Sequence, residues 1–330
     1  MKVVTVLKAT GAVAACAAAL LLLAAAWILR GPIIISGSPS AAAGMVSEDL
    51  LRSSVRTLCS DLAPRDYLSP SNLDRAADWI ARRFRAAGLS VSEHAFPFGK
   101  YTYRNVLATR EGADPRRGLV IIGAHYDTCG PHPGADDNAS GVAVLLELVR
   151  TLPPERPACT QVFAAFVNEE PPFFGGDDMG SAHYARALLR DHARVELMVA
   201  LDLVGYFSDE PGSQAFPLPG LRLLYPGRGD FIAVVGDLGA GRWIRAVKKG
   251  MRSAGSIPVY SFRGPSSVPG IDWSDHLSFR KLGMPGVLVT DTAFLRNPNY
   301  HSPHDTPDTL DYGRMAGVVR ALHGVLRAAD

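Results

Sequence analysis

One stretch constrains this chain more than any other: Gly123 to Gly141, which reads GAHYDTCGPHPGADDNASG. An apolar run, Leu119 to Ile122, leads into it, and VAVLLELV follows it. That order specifies a buried strand, a Gly/Pro-rich loop and a helix. The loop offers His125 and Asp127 two residues apart, then a second acid at Asp137. In open α/β sheets, ligands bind beyond the carboxyl ends of the strands. The stretch therefore reads as half of a metal site whose other half lies downstream.

The rest of the chain alternates in the same manner. Leu51, Val55, Leu58 and Leu62 recur at helical spacing after Ser47, and Leu73, Ala77, Ile80 and Phe84 do so before Gly88. Strands are expected at 90–98, 103–109, 119–124, 161–167, 197–203, 231–235, 258–262 and 286–290. Helices are expected near 140–152, 179–190, 241–254 and 310–328, with a short one from Ser274. Tyr206–Asp230 has turn residues and no clear period, so it reads as an irregular excursion. Strands alternating with helices predict a three-layer α/β/α sandwich around a mixed, mainly parallel sheet.

Apolar content of 47% and charged content of 20% fit a globular protein with a substantial core. A formal net charge of +2, with scattered Lys and Arg, gives nucleic-acid binding no support. Ala9 to Leu29 contains no charge, and its 21 residues as a helix would span roughly 31 Å, about one hydrocarbon core. Lys2 and Lys8 precede it, which favours a cytoplasmic amino terminus and an extracytoplasmic remainder. The organisation expected is an anchor at 1–30, a Gly/Pro/Ser/Ala-rich linker at 31–46 and a catalytic domain at 47–330, held at the cell membrane. The competing reading is a cleaved signal peptide, with Ala41-Ala42-Ala43 as the cleavage region and a secreted or periplasmic product. Cys59, Cys129 and Cys159 form neither a complete disulfide framework nor a zinc spacing.

Five places pair a strand end or adjacent loop with a metal-binding side chain: His125, Asp137, Glu170, Asp202 and His301. Each alone has a bland reading, such as a helix cap for Asp137 or a solvated pair for Glu169-Glu170. Asp202 differs, because a carboxylate within VALDLVG is costly unless partnered. His and carboxylate donors suit zinc, and five ligands with one shared give each of two ions three.

From Leu58 to Ala328 the chain resembles the clan MH zinc aminopeptidases, which include bacterial leucine aminopeptidases, glutamate carboxypeptidase II and glutaminyl cyclase. The pieces that carry the resemblance are RNVLAT, GAHYDT, GADDNASGVA, NEEPPFFGGDDMGSAHYA, ALDLVGY, SDHLSF with GMPGVLVTDT, and YHSPHDTPDTLDY. It implies that His125 and Asp202 bind one zinc, Glu170 and His301 the other, and that Asp137 bridges them. It further implies Asp127 as the orienter of His125, Glu169 as general base, and a cis Asp137–Asn138 peptide. His276 and His304 lie in matching text, but the ligand position is the histidine after Tyr300. The implied activity is removal of N-terminal residues from peptides. A glutaminyl-cyclase-like or carboxypeptidase-like reaction, or a non-catalytic receptor-like ectodomain, would use the same scaffold.

Overall fold

The computed structural model describes residues 45–329, with Ala15, Cys16, Ala19, Leu20, Leu23 and Ala24 of the N-terminal segment. Most of the expected anchor at Ala9–Leu29 and nearly all of the linker therefore lie outside the described residues. Among the described residues no helix is long and apolar enough to cross a membrane.

Ser47 caps the first helix, α1 (Glu48–Arg56), its Oγ accepting from Leu50 N at 3.3 Å. Helix α2 (Pro70–Ala86) starts with proline in its first turn, where the missing N–H costs nothing. It stops before Gly88, which takes φ +82°. A hairpin follows, β1 (Ser90–Phe98) and β2 (Tyr101–Arg110). The alternating units are then β3 (Leu119–His125), α3 (Gly141–Arg150), β4 (Thr160–Phe166), α4 (Gly180–Arg190) and β5 (Val195–Leu201). After the excursion come β6 (Ile232–Asp237), α5 (Gly241–Ser253), β7 (Val259–Gly264), α6 (His276–Lys281), β8 (Gly286–Thr290) and α7 (Tyr312–Ala329).

The strands form one sheet in the order β1-β2-β4-β3-β5-β8-β6-β7. Four pairings are parallel (β4/β3, β3/β5, β5/β8 and β6/β7) and three antiparallel (β1/β2, β2/β4 and β6/β8). The expected parallel predominance holds at the centre of the sheet and by that margin only.

Side-chain alternation sorts the strands onto two layers. Val120, Ile122, Phe163, Val199 and Val289 pack with residues of α1, α2, α3, α5 and α7. Ile121, Val162, Met198 and Leu288 pack on the other face with Tyr184 of α4 and Phe279 of α6. Ile121, Ile122 and Phe163 have no exposed surface, and each such side chain contributes about 1.5–3 kcal/mol. Helices α5 and α7 cross where Gly250 meets Gly324. A Cβ built on Gly324 would lie 2.0 Å from Gly250 O, so only glycine permits that approach.

Candidate metal centre

Strands β4, β3 and β5 are adjacent and parallel, with Gly123 beside both Ala164 and Ala200. Their carboxyl ends therefore share one edge. His125 is the last residue of β3, Glu169 and Glu170 follow β4, and Asp202 follows β5. Asp137 comes from the loop between β3 and α3, and His301 from the loop after β8. Asn168, Leu203 and His301 take φ of 60°, 50° and 53°. Non-glycine residues seldom occupy that region, and where they do they cluster at functional sites.

The structure brings all five expected ligand side chains together. His125 Nε2 lies 3.2 Å from Asp202 Oδ1 and 3.4 Å from Asp137 Oδ1. His301 Nε2 lies 3.0 Å from Asp137 Oδ2 and 3.4 Å from Glu170 Oε2. The two oxygens of Asp137 thus face different histidines. Glu169 Oε2 is 3.9 Å from His125 Nε2. His276 turns away and contacts Ile271 O at 2.9 Å, and His304 is exposed.

Asp127 lies against His125 and has a second task besides. His125 Nδ1 lies 3.2 Å from the carbonyl oxygen of Asp127 and 3.6 Å from its carboxylate. The two carboxylate oxygens also accept from Glu169 N (3.2 Å) and Glu170 N (3.1 Å). One buried acid therefore fixes the exit of β4 against the exit of β3.

The loop carrying Asp137 is held from several sides. Asp305 accepts from Asp136 N at 2.9 Å and Asp137 N at 3.0 Å, and its carbonyl accepts from Ala135 N at 3.2 Å. The Asp137–Asn138 peptide is cis, as expected. Asn138 donates to Leu201 O (2.8 Å) and accepts from Gly141 N (3.0 Å). A Cβ on Gly141 would sit 2.3 Å from Asn138 Oδ1, which explains the glycine. Asn138 has no exposed surface, so the tripeptide Asn138-Ala139-Ser140, which fits an N-glycosylation sequon, offers no glycosylation site. Asp136 accepts from Gly205 N (2.9 Å) and Asn297 Nδ2 (2.8 Å), tying the loop to two later segments.

Arg65 is fully buried beneath the same loop. It donates to Leu58 O, Tyr126 O (2.9 Å), Pro133 O (3.1 Å) and Gly134 O (3.0 Å). Sequence reasoning missed Arg65 and Asp305. Asp305 had a faint signal, since it follows His301 by four residues within matching text. A lone arginine after Ala63-Pro64 had none.

The electrostatics describe a centre built for cations. Burial opposes ionisation of Glu170, and Asp137 beside it adds to this, lifting its carboxyl to about 7. Burial alone would lower His301, but Asp137 and Glu170 raise it to about 10. His125 is raised well above its usual value against burial, by Asp202, Glu169, Asp127 and Asp137. Burial, then Glu170, Asp137, Glu169 and Asp127, push the Cys129 thiol up to about 12. Glu170 Oε1 is a buried atom without a hydrogen-bond partner. His125, Asp137 and Glu170 place ligand atoms within 4.8 Å of one another. Nitrogen and carboxylate donors converging at this spacing, with one carboxylate oxygen left unpaired, fit divalent metal.

A cavity of about 380 Å³ opens directly onto these groups, with Asp137, Glu169, Glu170, Asp202 and His301 on its floor. Its walls are mainly apolar: Phe216 and Tyr225 from the excursion, Tyr260 from β7, Ile271 and Trp273 from the following loop, and Phe294. The excursion and the 261–274 loop thus both contribute wall. The Thr292–Leu295 segment joins them.

The chain resembles known proteins in both sequence and fold. It is 44% identical over 281 residues to the uncharacterized protein YfbL of Escherichia coli, covering 83% of this chain and 85% of that protein. The zinc aminopeptidase from Bacillus subtilis shares its fold with a TM-score of 0.65 at 16% identity, over 84% of this chain and 94% of the other. A glutaminyl cyclase from Fimbriiglobus ruber does so with a TM-score of 0.67 at 21% identity, over 88% and 98%. The model of peptidase family M28 matches residues 105–326, and with the convergence of His125, Asp137, Glu170, Asp202 and His301 at the strand ends this places the chain in that family.

Proposed function

We propose that this protein is a two-zinc exopeptidase that removes N-terminal residues from peptides. The observation that carries the reading is Asp137, whose Oδ1 lies 3.4 Å from His125 Nε2 and whose Oδ2 lies 3.0 Å from His301 Nε2. A carboxylate so placed would serve two cations at once. His125 and Asp202 would complete one site, and Glu170 and His301 the other. The zinc named for the Bacillus subtilis neighbour agrees with these donors.

Zinc bound there would acidify a water and polarise the scissile carbonyl. Glu169 is buried and lines the cavity floor, and it is the carboxylate of this group to which no ligand role falls. It takes the proton of the attacking water and returns it to the leaving amine. Asp127 keeps Glu169 and Glu170 in fixed relation by binding both backbone N–H groups. The apolar cavity receives the side chain of the residue removed and keeps bulk water from the floor.

Metal analysis with a substrate panel tests this. Two zinc ions per chain and release of unblocked N-terminal residues are expected. One ion per chain, or turnover confined to N-terminal glutamine cyclisation, would overturn it. From the sequence of Ala9–Leu29 alone, we infer that the domain is anchored outside the cytoplasm. A mature amino terminus near Gly44 would replace the anchor with a cleaved signal.

A further inference from the structure

Cys129 lies four residues beyond His125 on the exit loop of β3, half-buried. Its Sγ, a carboxylate oxygen of Glu170 and a ring nitrogen of His301 all lie within 4.8 Å of one another. Glu170 and His301 are the pair assigned above to the second ion. Independently of the thiol, Glu170 Oε1 is unpartnered while Glu170 is only 4% exposed. A narrow cleft, separate from the apolar cavity, runs between Cys129, His132 and Thr128 on one side and Asp137, Glu170 and His301 on the other. It holds about 10 Å³, room for no ligand larger than a water.

We propose that Cys129 is a fourth protein ligand of the second ion, joining Asp137, Glu170 and His301. This rests on the two-ion reading. Donor atoms about 2.0–2.3 Å from one zinc are about 3.5 Å apart, so the sulfur needs to move inward by no more than about 1.3 Å. A change of staggered rotamer moves it further than that. On binding, the S–H bond is exchanged for a sulfur–metal bond and the proton leaves to solvent. The two positions then differ in kind. The first has one nitrogen and carboxylate oxygens, and the second adds a soft sulfur that favours zinc, cobalt or cadmium over magnesium or manganese.

Cobalt(II) reports the ligand directly. The full chain, stripped of metal and reloaded with two equivalents of cobalt, is expected to show a sulfur-to-cobalt charge-transfer band in the near ultraviolet. Cys129→Ser should lose that band while keeping the visible bands of both bound ions. Cys59→Ser should retain it, since Cys59 is buried in the core. Two cobalt ions without the band, or a band surviving in Cys129→Ser, would overturn the proposal and leave the two-ion reading intact. A single cobalt whose sulfur band vanishes in Cys129→Ser would keep the thiol ligand and refute the second ion. Failure to bind cobalt would remove both. Should the variant misfold, the native chain still decides. Zinc should protect Cys129 from a thiol-reactive probe, and equal labelling with and without zinc would sink the idea.

Discussion

The loop between β3 and α3 and the excursion between β5 and β6 serve one site by opposite means. In the first, nearly every polar group has a fixed partner. Asp305, Asp136, Asn138 and Arg65 hold it along its length, so that Asp137 faces both histidines of the metal centre. The excursion is pinned at fewer points. Ser208 N donates to Gly229 O, Ala215 N to Leu295 O, and Tyr225 OH to Ser261 O. Its Leu218 and Leu223 remain exposed while Phe216 and Tyr225 wall the cavity. The comparison teaches that metal chemistry demands particular side chains at particular places, whereas an apolar wall asks only for volume. Chemistry should therefore fail sharply in the first region, and selectivity should drift in the second.

The sharpest break is at the glutamate pair. Glu169→Gln should lower turnover roughly 10²–10⁴-fold, the usual worth of a positioned acid–base group, with zinc content unchanged. Glu170→Gln should lower zinc content as well. Zinc stoichiometry after dialysis, read beside turnover of an aminoacyl substrate, separates the two. Zinc loss in Glu169→Gln would exchange their roles, and full activity there would remove the mechanism.

Asp305 tests whether the first loop is held as rigidly as its hydrogen bonds suggest. Asp305→Ala leaves Asp136 N and Asp137 N buried without acceptors, at a cost of about 1–3 kcal/mol each. Thermal unfolding of the metal-free chain should fall accordingly, and Asp305→Asn should recover part of it. An unchanged midpoint in Asp305→Ala would show that the loop does not depend on this clamp.

The excursion side is probed from beneath the cavity by Ala233, a buried β6 residue. Ala233→Phe should fill the space and lower kcat/KM for bulky apolar N-terminal residues. The loss relative to alanyl substrates should be at least roughly 10- to 200-fold, the range a single methylene group is worth. Zinc content should not change. Equal losses for small and bulky substrates would show that the cavity does not hold the residue removed.

Much of the fold was legible because its elements carry strong periods. The expected helix before Gly88 and the strand at 90–98 match α2 and β1 closely, since an apolar face at fixed spacing and a glycine stop are local signals. Strand direction was not legible. Nothing in Arg104–Thr109 states that β2 runs antiparallel beside β4, nor in Ile232–Val235 that β6 opposes β8. Pairing depends on partners far away in sequence, and many apolar strands would satisfy the same neighbours. The site divides in the same way. His125, Asp137 and Asp202 stood out through residue type and position, whereas Arg65 reaches the loop only because the Thr57–Asp61 turn after α1 and the 126–134 segment close over it.

By itself the sequence determined the alternation of elements, the two-layered burial of the strands and the donor types at their carboxyl ends. Those follow from local rules of helical and strand period and from the few side chains that bind metal. Only the tertiary structure decided that Asp137 turns one oxygen to each histidine, that Asp127 clamps the Glu169-Glu170 backbone, and that Cys129 meets Glu170 and His301. Each of these depends on where separate strand exits arrive in space. A chain encodes such convergence in the packing of the whole sheet, and no single stretch displays it.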